Sequence, residues 1–420
     1  MKGIEQFREK LHYSVYPTDK FKTTTCLVSF SAPLSTETIA DRALLPYIME
    51  KSTEAYPSIE LFHTPLEELY DAALYAGASK VGKEHVIQFQ LEVVSDGLVG
   101  EPVLSRAIKL LEEVLLRPNA YDGAFQPLIV EQELRLQRQR IESVYDDKMR
   151  FAQQRLQELL GGELAIPSLG TLDQLDAVTP RSLYAAYESM IRHDRIDVYV
   201  VGDVDRAQVT EAFAPLETLG EPFERAYPEP VAREFQRLEE EQAINQSKLH
   251  LAYAVDVDPK SEDAVRMQVF NGLFGGFPHS KLFMNVREKE SLAYYAASQY
   301  SSLSRMLFVY AGIDASNQAK TEQIIDAQLA DLKAGRFDDM TLEQTKEMLY
   351  HQRRQLGDNP RQLIAWMSGS DIRPFSLEEE MTIIERTTRD DVAALANRLE
   401  LTAVYCLKGG RHEDRLSIRR

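Results

Sequence analysis

The chain has 420 residues, 44% of them hydrophobic, 27% charged and 9% aromatic, which is enough apolar material for sizeable cores and roughly two to three domains. Lys and Arg total 48 against 66 Asp and Glu, and the balance of −18 argues against a nucleic-acid partner or an anionic membrane surface. Cys26 and Cys406 are the only cysteines and no CxxC occurs, so neither a disulfide framework nor a thiolate zinc site is expected, and a reducing cytoplasm is. The first residues lack the apolar core of a signal peptide, and no later window is apolar enough for a membrane span.

The alternating run 23–32 reads as a strand, and apolar spacing at Ile39, Ala43, Leu44, Tyr47 and Ile48 predicts a helix over 35–51. A second helix is expected over 65–76 and a long strand over 85–95. Helical periods cover 102–116, 122–145, 147–160 and 180–191, broken by Pro118 and the Gly161-Gly162 pair. A buried strand at 195–203 and a helix at 206–216 close the half. Pro222, Pro228, Pro230 and the run Glu239-Glu240-Glu241 lie where periodicity vanishes, so residues 218–243 read as a solvated linker. The pattern then restarts with a strand at 247–255, helices at 261–274 and 281–290, and strands at 293–302 and 306–313. Helices beginning at Ala319, Thr341, Arg361 and Ser376 and a last strand at 402–408 follow. The reading is an α+β protein of two similar domains, 1–217 and 244–420.

The chain contains no HExxH, HxxEH, Walker loop, GxSxG elbow or credible GxGxxG. Its most distinctive segment is NGLFGGFPHSKLFMNVREKESLAY, residues 271–294, where a Gly275-Gly276 turn leads to a helix carrying Arg287 and a strand carrying Tyr294. Ser280 is placed to cap that helix, and His279 beside the turn reads as an exposed loop histidine that could touch a peptide. None of the eight histidines forms an i, i+4 pair; His63 with Glu67 or Glu68 comes nearest, and capping explains it more simply.

The pattern GG…SKLF..VREK.SLAY resembles the C-terminal half of the pitrilysin/insulinase (M16) zinc metallopeptidases, of the two-domain processing-peptidase type. QSKLHLAY and TPLEELYDAAL are similar to the YmfF-like branch, which lacks the zinc motif. The resemblance extends over nearly the whole chain and implies two M16-like domains forming half of a clamshell. It also implies that Arg287 and Tyr294 contact substrate near the scissile carbonyl, with Gly275, Gly276 and His279 nearby. As donors, a guanidinium and a phenol suit an oxyanion in a water-poor chamber. Tyr295 is the competing tyrosine, which strand alternation places on the opposite face.

The family's HxxEH falls on Tyr47-Ile48-Met49-Glu50-Lys51, which keeps the glutamate and loses both histidines, and its downstream ligand resembles Glu133. A phenol is a poor zinc ligand at neutral pH and an ammonium repels a dication, so Glu50 and Glu133 read as relics and no cofactor is expected on this chain. The implied role is a non-catalytic subunit paired with an M16 paralogue that retains HxxEH and its zinc, with peptide as substrate; a homodimer is the other assembly. Two further readings stay open: a self-sufficient zinc metallopeptidase with atypical ligands, and a purely structural peptide-binding scaffold.

Overall fold

The computed structural model describes residues 4–8, 11–222, 234–371 and 373–409. They fall into two α+β units, and the chain enters each more than once: Met1–Ser143, Ile166–Ala226 and Leu356–Asp371 form the first, and Val144–Ala165, Tyr227–Gln355 and Ile372–Arg420 the second.

The first unit runs β1 (Ile4–Arg8), β2 (Leu11–Pro17), β3 (Thr23–Pro33), α1 (Ile39–Met49), α2 (Ile59–Glu67), β4 (Ala73–Val81), β5 (Glu84–Val94), α3 (Val103–Leu116) and α4 (Pro127–Asp146). After α5 (Lys148–Leu160), which belongs to the second unit, it resumes with α6 (Pro180–His193), β6 (Arg195–Gly202) and α7 (Arg206–Ala212). Its sheet has the order β1-β2-β6-β3-β5-β4, antiparallel except for β2 beside β6. The buried positions of α3, Val103, Leu104, Ala107, Ile108, Leu110, Leu111, Val114 and Leu115, recur at helical spacing and pack in the core with Val28, Phe30, Phe89 and Val198 of the strands. A capping box at Thr179, with Pro180 in the first turn, starts α6.

The second unit contains β7 (Gln236–Gln242), β8 (Ser247–Val255), α8 (Glu262–Asn271), two π-helical stretches (Gly272–Gly276 and Phe283–Lys289), β9 (Ala293–Ser301), β10 (Met306–Ile313), α9 (Gln318–Lys333) and α10 (Asp339–Gln355). Next comes α11 (Pro360–Met367), which belongs to the first unit, then α12 (Leu377–Arg386), α13 (Arg389–Ala396) and β11 (Leu399–Gly409). The sheet order is β9-β10-β8-β11-β7, with only β7 and β11 parallel. Strand for strand this repeats β4-β5-β3-β6-β2 of the first unit, so the expected similarity of the halves holds at the level of sheet topology; β1 has no counterpart among the described residues.

The repeat extends to an exchange of helices. Leu363, Ile364 and Met367 of α11 cover the face of the first sheet that carries Leu27, Tyr199 and Val201. Ala152, Leu156 and Leu160 of α5 cover the second sheet at Ala252, Phe308, Tyr405 and Leu407. The expected domains, 1–217 and 244–420, are corrected accordingly: 144–165 packs in the second unit and 356–371 in the first, because each helix buries its apolar stripe on the other half's sheet. The expected linker, 218–243, is corrected at its end. Residues 236–242 form β7, and their charges are paired: Glu239 with Lys408, Glu240 with Arg155 and Arg237 with Glu322. Residues 223–233 of that expectation lie outside the described residues. The helix expected over 65–76 is also replaced: α2 ends at Glu67, Tyr70 and Asp71 take left-handed backbone conformations (φ 61° and 57°), and β4 follows.

Candidate functional site

In the first unit the degenerate motif sits at the tail of α1. Pro46 carries no N–H and so removes the bond to the Arg42 carbonyl; the helix ends at Met49, and the Glu50 N–H donates to the Pro46 carbonyl at 3.1 Å. Glu50 and Lys51 therefore lie at and just past the helix end. The Lys51 ammonium is 3.2 Å from Glu50 Oε1, and the Ala76 N–H of β4 donates to Glu50 Oε2 at 2.9 Å. Burial raises the Glu50 carboxyl above its ordinary range, opposed by Lys51 and reinforced by the charge of Glu133.

Glu133 is buried on α4, and its face continues with Gln137 and Arg140 at i+4 and i+7. Arg140 Nη2 is 3.5 Å from Glu133 Oε2, which accepts no hydrogen bond. The guanidinium carbon lies 4.0 Å over the centre of the Tyr47 ring, and Nη1 donates to Gln137 Oε1 at 3.1 Å. The structure thus gathers Tyr47, Glu50, Lys51 and Glu133 as the sequence suggested and adds Arg140, which the sequence reading missed. The only local signal was its i+7 spacing from Glu133, which puts the two on one face of α4. Among the described residues no group of three or more His, Cys, Asp or Glu is placed to hold a metal. The residues present do not fit zinc: a phenol stacked on a guanidinium and an ammonium on the one retained glutamate leave no donor set for a dication.

In the second unit the glycine-rich segment is a packing device. A Cβ on Gly275 would stand 2.6 Å from the Ser298 backbone N and 2.7 Å from its Oγ, so the π-helical stretch reaches β9 only as glycine. Gly276 is exposed beside it. The expectation for His279 is corrected: it is partly buried, stacked on Phe277 with ring centres 5.6 Å apart, and its Nε2 is 2.7 Å from Thr345 Oγ1. Burial lowers its pKa from the ordinary histidine value and favours the neutral ring. Ser280 Oγ accepts from the Phe283 N–H at 3.4 Å, the cap expected of it.

Arg287 and Tyr294 are both exposed. Arg287 lies over the Phe283 ring at 4.6 Å, and its Nε is 3.5 Å from Glu288 Oε1. Ser291 turns the chain with φ 52°, and β9 then starts with a bulge: Ala293 pairs with Ile313 and Tyr295 with Gly312, leaving Tyr294 as the extra residue. The bulge interrupts the simple alternation from which the opposite facing of Tyr295 is expected: Ala293 and Ala296 are both buried in the core, with Tyr294 and Tyr295 between them. Tyr294 is 65% exposed, and its hydroxyl has no hydrogen-bond partner among the described residues. Tyr295 lies against Gly312 with Lys248 Nζ 5.4 Å from its ring centre, and burial pushes its pKa up to about 12.

Comparison with known proteins identifies relatives over nearly the whole chain. Residues 177–349 match the family model described as the Peptidase M16 inactive domain. The Bacillus subtilis (strain 168) protein named "Probable inactive metalloprotease YmfF" is 36% identical over 406 residues, 94% of this chain and 95% of that protein. The crystal structure of a conserved protein from Enterococcus faecalis V583 superposes with a TM-score of 0.90 at 34% identity, covering 96% of this chain and 97% of that one. The peptidase M16 inactive domain from Pseudomonas fluorescens superposes with a TM-score of 0.82 over 96% of this chain and 97% of its own; at 17% identity this is a likeness of fold alone. No helix among the described residues is long and apolar enough to cross a membrane.

Proposed function

The chain belongs to the M16 metallopeptidase family, as a homologue of the inactive type, and from that premise we propose that it is the silent subunit of a cytoplasmic peptidase complex. Its partner is an M16 paralogue that retains HxxEH, and the two together bind the peptide. The partner supplies the zinc centre. This chain supplies Arg287 and Tyr294, whose guanidinium and phenol donate hydrogen bonds to the substrate oxygen on which negative charge develops.

The observation that carries the reading is the contrast in partners. Lys51 and Arg140 engage Glu50 and Glu133 within the chain, whereas the Tyr294 hydroxyl is exposed without a partner among the described residues and Arg287 is held only by stacking and a loose contact with its neighbour.

The test is a peptidase assay on the isolated chain and on the complex with the paralogue, with assembly checked by size exclusion. The isolated chain should cleave nothing. In the complex, Arg287→Ala and Tyr294→Phe should each lower kcat by about 10²–10³-fold, the effect of removing an oxyanion donor, with assembly unchanged. Normal turnover in both variants would favour a scaffold role. Tightly held zinc with chelator-sensitive activity in the isolated chain would overturn the reading.

A further inference from the structure

The two lost histidines account for only part of the distance between this site and a zinc site. If they were all, restoring them would restore metal binding. The structure adds a residue outside the motif. Arg140 reaches from α4 to lie 4.0 Å over the ring at position 47, the first histidine position, while its Nη2 stands 3.5 Å from Glu133. Glu133 is buried, and among the described residues its Oε2 has no hydrogen bond and no other ion-pair partner. On the other side of the site Lys51 faces Glu50. Two carboxylates thus meet two cations, the charge balance that a dication would otherwise provide.

We propose that Arg140 is the residue that stands in for the family's metal: it neutralises Glu133, covers position 47, and excludes zinc even when both histidines are put back. The physical basis is local. A guanidinium stays charged at every accessible pH, and its planar face stacks on the ring at position 47, so a metal bound there would meet both its charge and its volume. Lys51 is removed by the restoration itself and leaves Arg140 as the remaining cation.

The experiment is Zn²⁺ titration of the isolated full chain by calorimetry, with metal content measured after dialysis, so the outcome does not depend on any partner. Tyr47→His with Lys51→His should bind weakly or not at all. Adding Arg140→Lys should change nothing, because the cation is retained. Adding Arg140→Ala should tighten binding at least about tenfold, and Arg140→Glu should tighten it further by converting a repelling charge into a fourth donor beside the two histidines and Glu133. The same affinity whatever residue stands at 140, or no binding in any of the four, would overturn the proposal. A second measurement uses the otherwise native chain: Arg140→Met should lower the Tm by about 5 °C, and Glu133→Gln should restore most of it in the Arg140→Met background. Strict additivity of the two substitutions would show that Arg140 does not serve Glu133 and would equally overturn it.

Discussion

The two units share a strand order and an exchanged helix but spend their polar side chains differently. In the first, the motif residues at the end of α1 are closed by ion pairs with Lys51 and Arg140. In the second, the distinctive segment between α8 and β9 is held by glycine packing, a serine cap and a neutral histidine, while Arg287 and Tyr294 stay exposed. One site has been absorbed into the fold. The other remains exposed at its surface. That distinction predicts which substitutions cost stability and which do not.

The largest cost falls on buried ion pairs, and one from each unit makes the comparison. Arg42 makes a bidentate bridge to Asp194, at 2.7 and 3.1 Å, and donates to the His85 carbonyl, with both partners almost fully buried. In the second unit Arg353 Nε donates to the buried Glu380 at 2.7 Å. Arg42→Met should cost about 3–5 kcal/mol, because it strands a buried carboxylate, and Arg353→Met should fall at the lower end of that range. Trp366, the single tryptophan, lies on α11 in the first unit. Urea unfolding followed by its fluorescence should therefore shift strongly for Arg42→Met and less for Arg353→Met; equal shifts would mean that the units unfold as one.

Acid should strike both units through one histidine each. Burial, helped by Arg42, pushes His85 down to about 4, and burial, helped by Lys248, pushes His250 down to about 3. Both folded values lie below the unfolded value of about 6.5, so above that pH the rings are neutral in both states and contribute no pH dependence. Below it the unfolded chain takes up the proton first. Each ring should then remove about 1.4 kcal/mol of stability per pH unit until its folded pKa is reached. His85→Gln should flatten the acid limb of the Trp366 transition, and His250→Gln should flatten the limb seen by circular dichroism; an unchanged slope in both would refute the assignment.

Packing separates the units at a smaller scale. Gly275→Ala forces a Cβ to 2.6 Å from a backbone nitrogen of β9 and should cost about 1–3 kcal/mol. Gly77, on the matching strand β4, has only the Tyr47 hydroxyl near, at 3.8 Å, so Gly77→Ala should be neutral or slightly stabilising. A comparable loss in Tm for both would remove the argument that the glycines of residues 272–276 are there for close approach.

Much of this was legible in the sequence wherever one residue class recurred at one period. The stripes of α3 and α6, the alternating run 23–32 in β3 and the restart of the pattern at 247 gave the elements and the two α+β halves. What stayed hidden depended on partners far along the chain. β2 lies in a polar-looking stretch and becomes a buried strand only beside β6. The charged run in β7 looked like linker because its arginine and lysine partners lie on α5 and β11. The helix exchange left no local trace, since α5 and α11 carry ordinary apolar stripes that do not say which sheet they cover. At the site, the motif positions were readable from the family resemblance, but Arg140 was not, because its meaning comes from a ring 93 positions earlier in the chain.

The smallest effect is the most telling for the open site. Tyr294→Phe removes a hydroxyl from a 65%-exposed ring at a bulge, with no partner among the described residues, and should move the stability of the isolated chain by no more than about 0.5 kcal/mol. Tyr295→Phe removes a buried hydroxyl that is likewise unpartnered and should be neutral to slightly stabilising, because a desolvated polar group disappears without breaking a bond. On stability alone the neighbours are nearly indistinguishable. Their roles should part only in the paired complex, where the Tyr294 change lowers turnover and the Tyr295 change does not. A clear loss of Tm in isolated Tyr294→Phe would mean that this hydroxyl serves the fold, and the contrast between a closed and an open site would fail at its most exposed residue.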